Sequence, residues 1–332
     1  MIELTRDTLH FSFPEVHKDA KLSIHFQRTL RIPDDDRTYP LPPGLGRFPV
    51  RHVDDYAARM PESWIRHGGV FLPMYQSEAL WICFGGQYPF AVKVATGKID
   101  AVTGEAWSDG IHRDPQDYLP VPEQPWLDGY CVEKGTIRQF VAMPLGSGYT
   151  AEEQITGEAE FGGIQIVAFP LKAKYYQPHM DRSALTLGAA PMSPMLSRSA
   201  AFDMGLAPGG KMRQEIFEDD RPLSHWDTDH GSRCFVHIAN SLAWRAVTNQ
   251  DPPTTPLTAK EYARYRMPWF DYYGGDGKAL GGSSTLKGLK SVFQMGKKKG
   301  EHPLPENESV EPGSVVPLGP KVTPDQVREG SF

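Results

Sequence analysis

The stretch ALWICFGGQYPFAVKVATGKIDAVTGE, residues 79–105, decides the fold class. Its three apolar runs are separated by Gly-Gly and Thr-Gly pairs, and short apolar runs between such turn residues are typical of β-strands. We therefore predict an antiparallel meander. Phe90, Val92 and Val94 share one face of the middle strand, whereas Lys93 projects from the other. That second face is predicted to be solvated or covered only at its edges.

Apolar runs of strand length recur on both sides of this stretch. Residues 21–32 alternate Leu22, Ile24 and Phe26 with polar neighbours, which is the period of a half-buried strand. Further strands are predicted at 136–145, 161–176 and 233–239. The 30 prolines and 32 glycines among 332 residues favour turns over long helices. The fold predicted is mainly β or α+β, with an antiparallel β-sandwich or barrel-like sheet, a few short helices and long Pro/Gly-rich loops.

The predicted helices are short and carry recognisable start signals. Thr150 with Glu153, and Thr258 with Glu261, have the spacing of a capping box, in which each residue satisfies a free backbone amide of the other. Two more helices are predicted at 53–60 and 286–299 from their apolar stripes. The lysines of the second suit a helix C-terminus, with Gly300 just beyond it, and contact with an acidic partner is the alternative.

Four segments are predicted along the chain. Residues 1–177 form an antiparallel β-rich domain, and residues 178–211 form an irregular connection or long loop, because they lack sustained periodicity. Residues 212–300 form an α+β segment that packs either on the same core or on its own. Residues 301–332 form a Pro-rich extended tail. Whether the chain holds one domain or two is left open.

Composition narrows the functional classes. A net charge of −6 argues against nucleic-acid binding. The sequence contains no run of eighteen apolar residues, so no membrane span is predicted. The N-terminus lacks a secretory apolar run, and the three cysteines, Cys83, Cys131 and Cys234, are too few for a disulfide framework. We therefore expect a cytoplasmic protein with reduced thiols.

The segment HWDTDH, residues 225–230, holds the densest group of metal-ligating side chains: His225, Asp227, Asp229 and His230. It resembles a degraded form of the H-x-H-x-D-H signature of the metallo-β-lactamase family, with Asp227 in place of the middle histidine. The resemblance covers six residues only. It implies further ligands downstream, where only His237 and His302 are found.

Three interpretations of this segment are left open. Imidazole and carboxylate groups can bind a divalent metal ion. Without a metal, His230 with Asp227 or Asp229 can act as an acid/base pair. In the third interpretation, the aspartates accept hydrogen bonds from turn amides and the histidines lie on the surface. Two residues of the irregular connection, His179 and Asp181, could join the first two arrangements.

Aromatic residues form two clusters next to prolines. The first contains Trp126 and Tyr130, and the second contains Trp269, Phe270, Tyr272 and Tyr273. Flat aromatic faces beside aspartates can bind a carbohydrate or anchor a protein interface. Alternatively, these segments cross the outer face of a sheet and close a core.

Two functional classes follow. The first is a non-catalytic binding or assembly protein, which uses its aromatic loops and extended tail to engage a protein partner, a carbohydrate or other copies of itself, and for which no cofactor is predicted. The alternative is a metal-dependent hydrolase centred on HWDTDH, which would need a divalent metal. The sequence shows no nucleophile elbow and no phosphate-binding loop that would favour another enzyme class.

Overall fold

The computed structural model describes residues 1–178, 202–272, 278–301 and 308–318. Nineteen strands lie in these residues: β1 (Ile2–Thr5), β2 (Thr8–Ser12), β3 (Lys21–Thr29), β4 (Thr38–Tyr39), β5 (Gly44–Arg47), β6 (Arg51–His52), β7 (Val70–Met74), β8 (Ala79–Gly85), β9 (Phe90–Thr96), β10 (Ile99–Asp100), β11 (Leu119–Val121), β12 (Trp126–Leu127), β13 (Gly129–Glu133), β14 (Thr136–Pro144), β15 (Ile164–Pro170), β16 (Asp203–Arg213), β17 (Ser232–Asn240), β18 (Trp269–Tyr272) and β19 (Val315–Leu318). The same residues contain six short α-helices: α1 (Glu62–His67), α2 (Ala151–Thr156), α3 (Ser241–Thr248), α4 (Ala259–Arg264), α5 (Ser284–Lys287) and α6 (Val292–Lys298). The predicted class, mainly β with short helices, is confirmed.

Strands β1 to β17 belong to one hydrogen-bonded network, and β18 and β19 form a separate two-stranded sheet. Antiparallel ladders join β3 to β8, β8 to β14 and β14 to β16. The network continues from β16 through β17 and β15 to β9. The pairs β4–β16, β7–β17 and β18–β19 are parallel. Closure of the network into a sandwich or barrel-like sheet stays a prediction.

The stretch that predicts the fold class forms strands where expected, but the predicted meander is wrong in its pairing. β9 and β10 form a hairpin, whereas β8 pairs with β3, β12 and β14 in the described ladders, not with β9. All seven residues of β9 are buried, so this strand is covered on both faces. A strand covered on both faces reads as one continuous apolar run, which does not reveal its neighbours.

Lys93 is not on a solvated face. Its side chain is 1% exposed and its ammonium group lies 2.7 Å from the carboxylate of Asp117. It also donates to the carbonyl and hydroxyl of Ser108 and to the carbonyl of Gly110. The loop between β10 and β11 therefore covers the second face of β9, and the lysine holds that loop in place.

The segment predicted to be irregular ends in the longest strand of the described residues. β16 starts at Asp203 and contains Pro208, Gly209 and Gly210, which obscure its strand pattern in the sequence. A Cβ atom at Gly209 would lie 2.5 Å from the side chain of Val141, and one at Gly210 would lie 2.5 Å from the carbonyl of Pro33. These glycines therefore permit the close approach of β14 and of the segment between β3 and β4. The division of the chain into domains stays a prediction, although one hydrophobic cluster runs from Leu9 to Val310.

The predicted helix starts are confirmed at Thr150 and Thr258, whereas the extent of one predicted helix is wrong. Both predicted capping boxes are present, at Thr150 and Thr258. The helix predicted at 286–299 is instead two helices, α5 and α6, and Ser291 caps the second. The longest described α-helix, α3, has eight residues, and no helix in the described part of the chain could span a bilayer.

Candidate functional site

Trp226 decides how the HWDTDH segment is arranged. Its side chain is 1% exposed and donates its Nε1–H to Asp219, 2.9 Å away. Asp219 is fully buried and also accepts from the hydroxyl of Tyr118 at 2.8 Å. Trp226 therefore anchors the segment in the core, and the metal-ligating side chains on either side of it lie nearer the surface.

The four metal-ligating side chains of the segment separate into two groups. His225 stacks on Tyr175 with ring centroids 3.7 Å apart. The Asp227 carboxylate lies 3.0 Å from Nδ1 of His230, and this hydrogen bond raises the pKa of that exposed histidine. Asp229 is exposed, and its backbone amide donates to Asp227. The structure thus brings His230 and Asp227 together at the surface and leaves His225 with a different neighbour.

A metal site is not formed by the described part of this segment. Across residues 1–178, 202–272, 278–301 and 308–318, no group of three His, Cys, Asp or Glu side chains is arranged to hold a metal ion. His237, the first downstream histidine, is buried, contacts the carbonyl of Gly68 and stacks on Trp64. Burial lowers the pKa of His237 to about 4. His179, Asp181 and His302 lie outside the described residues, so any contribution from them stays a prediction.

Trp126 of the first aromatic cluster lines a cleft of about 170 Å³, which we call the Trp126 cleft. Its apolar lining is formed by Leu41, Pro125, Trp126 and Phe217. Its polar lining includes Asp271, which follows Phe270 in β18, so residues of β12 and β18 share one concave surface. Small-molecule sites are typically concave and mostly apolar, with a few polar groups that fix the ligand's orientation.

Two buried glutamines shape one wall of the cleft. Nε2 of Gln124 donates to the carbonyl of Trp126 at 3.0 Å, and Nε2 of Gln214 donates to the same carbonyl at 3.1 Å. Oε1 of Gln124 accepts from the amide of Phe217, which links the loop before β12 to the segment after β16. These bonds fix the backbone of Trp126 from two directions.

The indole of Trp126 is held by a buried carboxyl group. Its Nε1–H donates to Oδ2 of Asp128 at 2.6 Å, and the amide of Asp128 donates to Oε1 of Gln214 at 3.0 Å. Asp128 is 1% exposed, and its Oδ1 has no hydrogen-bond partner among the described residues. Burial raises the pKa of Asp128 to about 8.

This raised pKa makes stability depend on pH. Asp128 has a pKa near 4 in the unfolded chain, so its stabilising contribution is complete below that pH and is lost as pH rises through about 8. Within that window the free energy of unfolding falls steadily as pH rises, because the unfolded chain has released a proton that the folded chain still holds. We expect Asp128→Asn, which keeps an acceptor for Trp126 but cannot ionise, to be more stable than the wild type at pH 9.

The measurement is denaturant unfolding of both proteins at pH 5, 7 and 9. Burial also raises the pKa values of Asp100 and Asp203 to about 7, so the stability of the variant still depends on pH. The difference in free energy of unfolding between the two proteins at each pH therefore isolates Asp128. A difference that is the same at all three pH values would contradict the assignment.

The mouth of the cleft is charged. Nη1 of Arg213 lies 3.1 Å from Oδ2 of Asp271, and the two side chains are 59% and 43% exposed. Glu215, which is also exposed, lies on the same lining. The mouth therefore offers guanidinium donors and carboxylate acceptors above an apolar floor.

The other aromatic residues predicted to bind a partner do not line the described cleft. Tyr130 is fully buried, and its hydroxyl contacts Thr96 at 2.8 Å and the carbonyl of Leu206 at 2.9 Å. Trp269 is also fully buried, against Tyr39 and Tyr262. These two residues close the core, as the alternative interpretation of the aromatic clusters has it. Phe270 is half-buried, and Tyr273 and the side chain of Tyr272 lie outside the described residues.

Sequence reasoning placed Trp126 among the binding residues but missed most of the cleft. Gln124, Gln214 and Arg213 carry no local signal, because a glutamine that bonds a distant backbone looks like any polar loop residue in the sequence. Comparison of the chain with family models, curated proteins and solved structures gives no match.

Proposed function

We propose that this protein is a binding protein and that the Trp126 cleft takes a small polar ligand of the carbohydrate class. The observation that carries the proposal is the convergence of Trp126, Arg213 and Asp271, from three distant parts of the chain, on one cleft. An aromatic ring beside charged and carboxylate groups matches a sugar, which presents C–H faces and hydroxyl edges. Burial of the cleft floor and exposure of its mouth suit a ligand that enters from solvent.

A panel of methyl glycosides and short oligosaccharides tests the proposal by saturation-transfer NMR and calorimetry. We expect saturable binding of at least one sugar. Trp126→Leu, which removes the flat ring, should abolish it, and the paired variant Arg213→Ala/Asp271→Ala should weaken it about tenfold or more, since charge-assisted hydrogen bonds are lost.

The matched control is Arg245→Ala/Asp251→Ala. This exposed ion pair spans 3.4 Å and does not line the cleft, so its loss should leave binding unchanged. Thermal melting of each variant separates lost binding from lost folding. Absence of saturable binding across the panel, or equal binding by Trp126→Leu, would reject the carbohydrate assignment.

Self-association and engagement of a protein partner stay predictions from the sequence. The described tail residues pack on their own chain, through the pairing of β19 with β18. The hydrolase alternative gains no support from the described arrangement of His225, Asp227, Asp229 and His230.

A further inference from the structure

Residues 308–318, which we call the strap, cross the outside of the segment that forms one side of the Trp126 cleft. β19 pairs in parallel with β18 over four residue pairs, from Trp269 with Val315 to Tyr272 with Leu318. The amide of Trp269 donates to the carbonyl of Ser314 at 2.9 Å. One edge of β18 is therefore occupied by the strap.

The other edge of β18 is bonded to Leu41, which lines the cleft. The amide of Leu41 donates to the carbonyl of Phe270 at 2.8 Å, and the amide of Phe270 donates to the carbonyl of Leu41 at 2.9 Å. Leu41 and Asp271 therefore form a single wall of the cleft, which we call the β18 wall. β18 is not part of the seventeen-strand network; it is joined to the rest of the fold through Leu41, the buried ring of Trp269 and the pair of Asp271 with Arg213, and its remaining edge is bonded only by the strap in the described residues.

The strap also contacts the chain that leads into Leu41. The amide of Val310 donates to the hydroxyl of Tyr39 at 3.4 Å, and Val310 is only 6% exposed. Glu311 pairs with Arg37 at 2.7 Å. Near its start, Glu308 pairs with Lys260 of α4. The strap thus touches both segments of the β18 wall from outside.

We infer that docking of the strap holds the β18 wall in its binding position, so that strap docking and ligand binding at the cleft are coupled. This inference rests on the proposed function of the cleft. A two-stranded sheet is marginally stable by itself, so the strap is held weakly enough for a ligand to change its docking. Linkage then requires reciprocity: a ligand that needs the ordered wall stabilises the docked strap by the same factor.

The first experiment needs no ligand. A chain that ends at Asn307 lacks the strap, and a control chain that ends at Pro320 keeps it. Hydrogen exchange is measured on the amides of Leu41, Phe270 and Trp269. Trp269 loses its acceptor directly, whereas Leu41 and Phe270 bond only to each other. We expect exchange at these two indirect positions to be at least tenfold faster in the chain that ends at Asn307 and unchanged in the control.

A point variant keeps the test valid if truncation disturbs folding. Val310→Asp places a charge at the buried anchor of the strap in the full-length chain and should give the same acceleration at Leu41 and Phe270. Unchanged exchange at these amides in both altered proteins would overturn the inference, whether or not any sugar binds.

The second experiment uses a saccharide that binds the full-length chain in the panel above. Its affinity should fall at least tenfold in the chain that ends at Asn307, and a synthetic peptide of residues 308–318 should restore it. Faster exchange with unchanged affinity would also overturn the coupling. If no sugar binds, the proposed function fails, and the exchange measurement still decides whether the strap holds the wall.

Discussion

Replacing Lys93 with alanine is expected to lower the free energy of unfolding by about 3–5 kcal/mol, because removing one partner leaves a buried charge uncompensated. The Lys93 and Asp117 side chains are 1% and 6% exposed. After the substitution, the described side chain left on the Asp117 carboxylate is His112, whose Nδ1 lies 2.8 Å away and which is itself largely exposed. The ring of Trp107 loses the ammonium group 5.1 Å from its centroid and keeps the guanidinium of Arg233, 4.8 Å away. Denaturant unfolding measures the loss.

Lys98 offers a matched control on the same hairpin. It pairs with Glu158 at 3.1 Å and with Glu160 at 2.7 Å, but these partners lie at the surface. Since water solvates exposed charges after a pair is broken, Lys98→Ala should cost much less than Lys93→Ala. The double variant Lys93→Met/Asp117→Asn should recover part of the stability lost by Lys93→Met alone, because it removes the stranded carboxylate. Equal losses at Lys93 and Lys98 would refute the role given to the buried pair.

Asp219→Ala should be comparably damaging, at about 3–5 kcal/mol, since each buried donor left without an acceptor costs about 1–3 kcal/mol. The carboxylate accepts from the hydroxyl of Tyr118, from Nε1 of Trp226 and from the amide of Arg221, at 2.8, 2.9 and 3.0 Å. It therefore ties the loop before β11 to the start of the HWDTDH segment. Chemical denaturation gives the size of the loss, and tryptophan fluorescence reports the altered surroundings of Trp226.

The neighbouring Asp220 is the control for this prediction. It is exposed, so Asp220→Ala should change stability by less than about 0.5 kcal/mol. Asp219→Asn, which keeps one acceptor oxygen, should fall between the two. If Asp219→Ala unfolds at the same denaturant concentration as Asp220→Ala, the buried network does not stabilise the fold as argued.

Local patterns in the sequence predicted the parts of the fold that depend on neighbours in sequence. The capping boxes at Thr150 and Thr258 were predictable because both partners of each hydrogen bond lie within four residues. The strands at 79–85 and 90–96 were predictable for the same reason. The partners of these strands were not, because the pairing of β8 with β3 depends on residues fifty or more positions apart.

In the candidate site, too, features set by neighbours in sequence were predictable and features set by distant contacts were not. Trp126 could be singled out from the sequence because it follows Pro125, and the two are adjacent in the chain. Its hydrogen-bond partner Asp128 is two positions away, but the raised pKa of that carboxyl group is caused by burial, and burial is a property of the fold. Arg213 and Asp271 could not be paired from the sequence, since their contact depends on the placement of β16 and β18.

The parallel ladders of β4 with β16 and of β7 with β17 set the order in which the chain can become native during synthesis. β4 and β7 are translated before their partners, which end at Arg213 and Asn240. Until those residues have been translated, the first half of the chain exposes strand edges that only the second half can cover, and exposed edges promote aggregation. We therefore expect productive synthesis of this protein to depend on protecting an incomplete sheet until Asn240 has been translated.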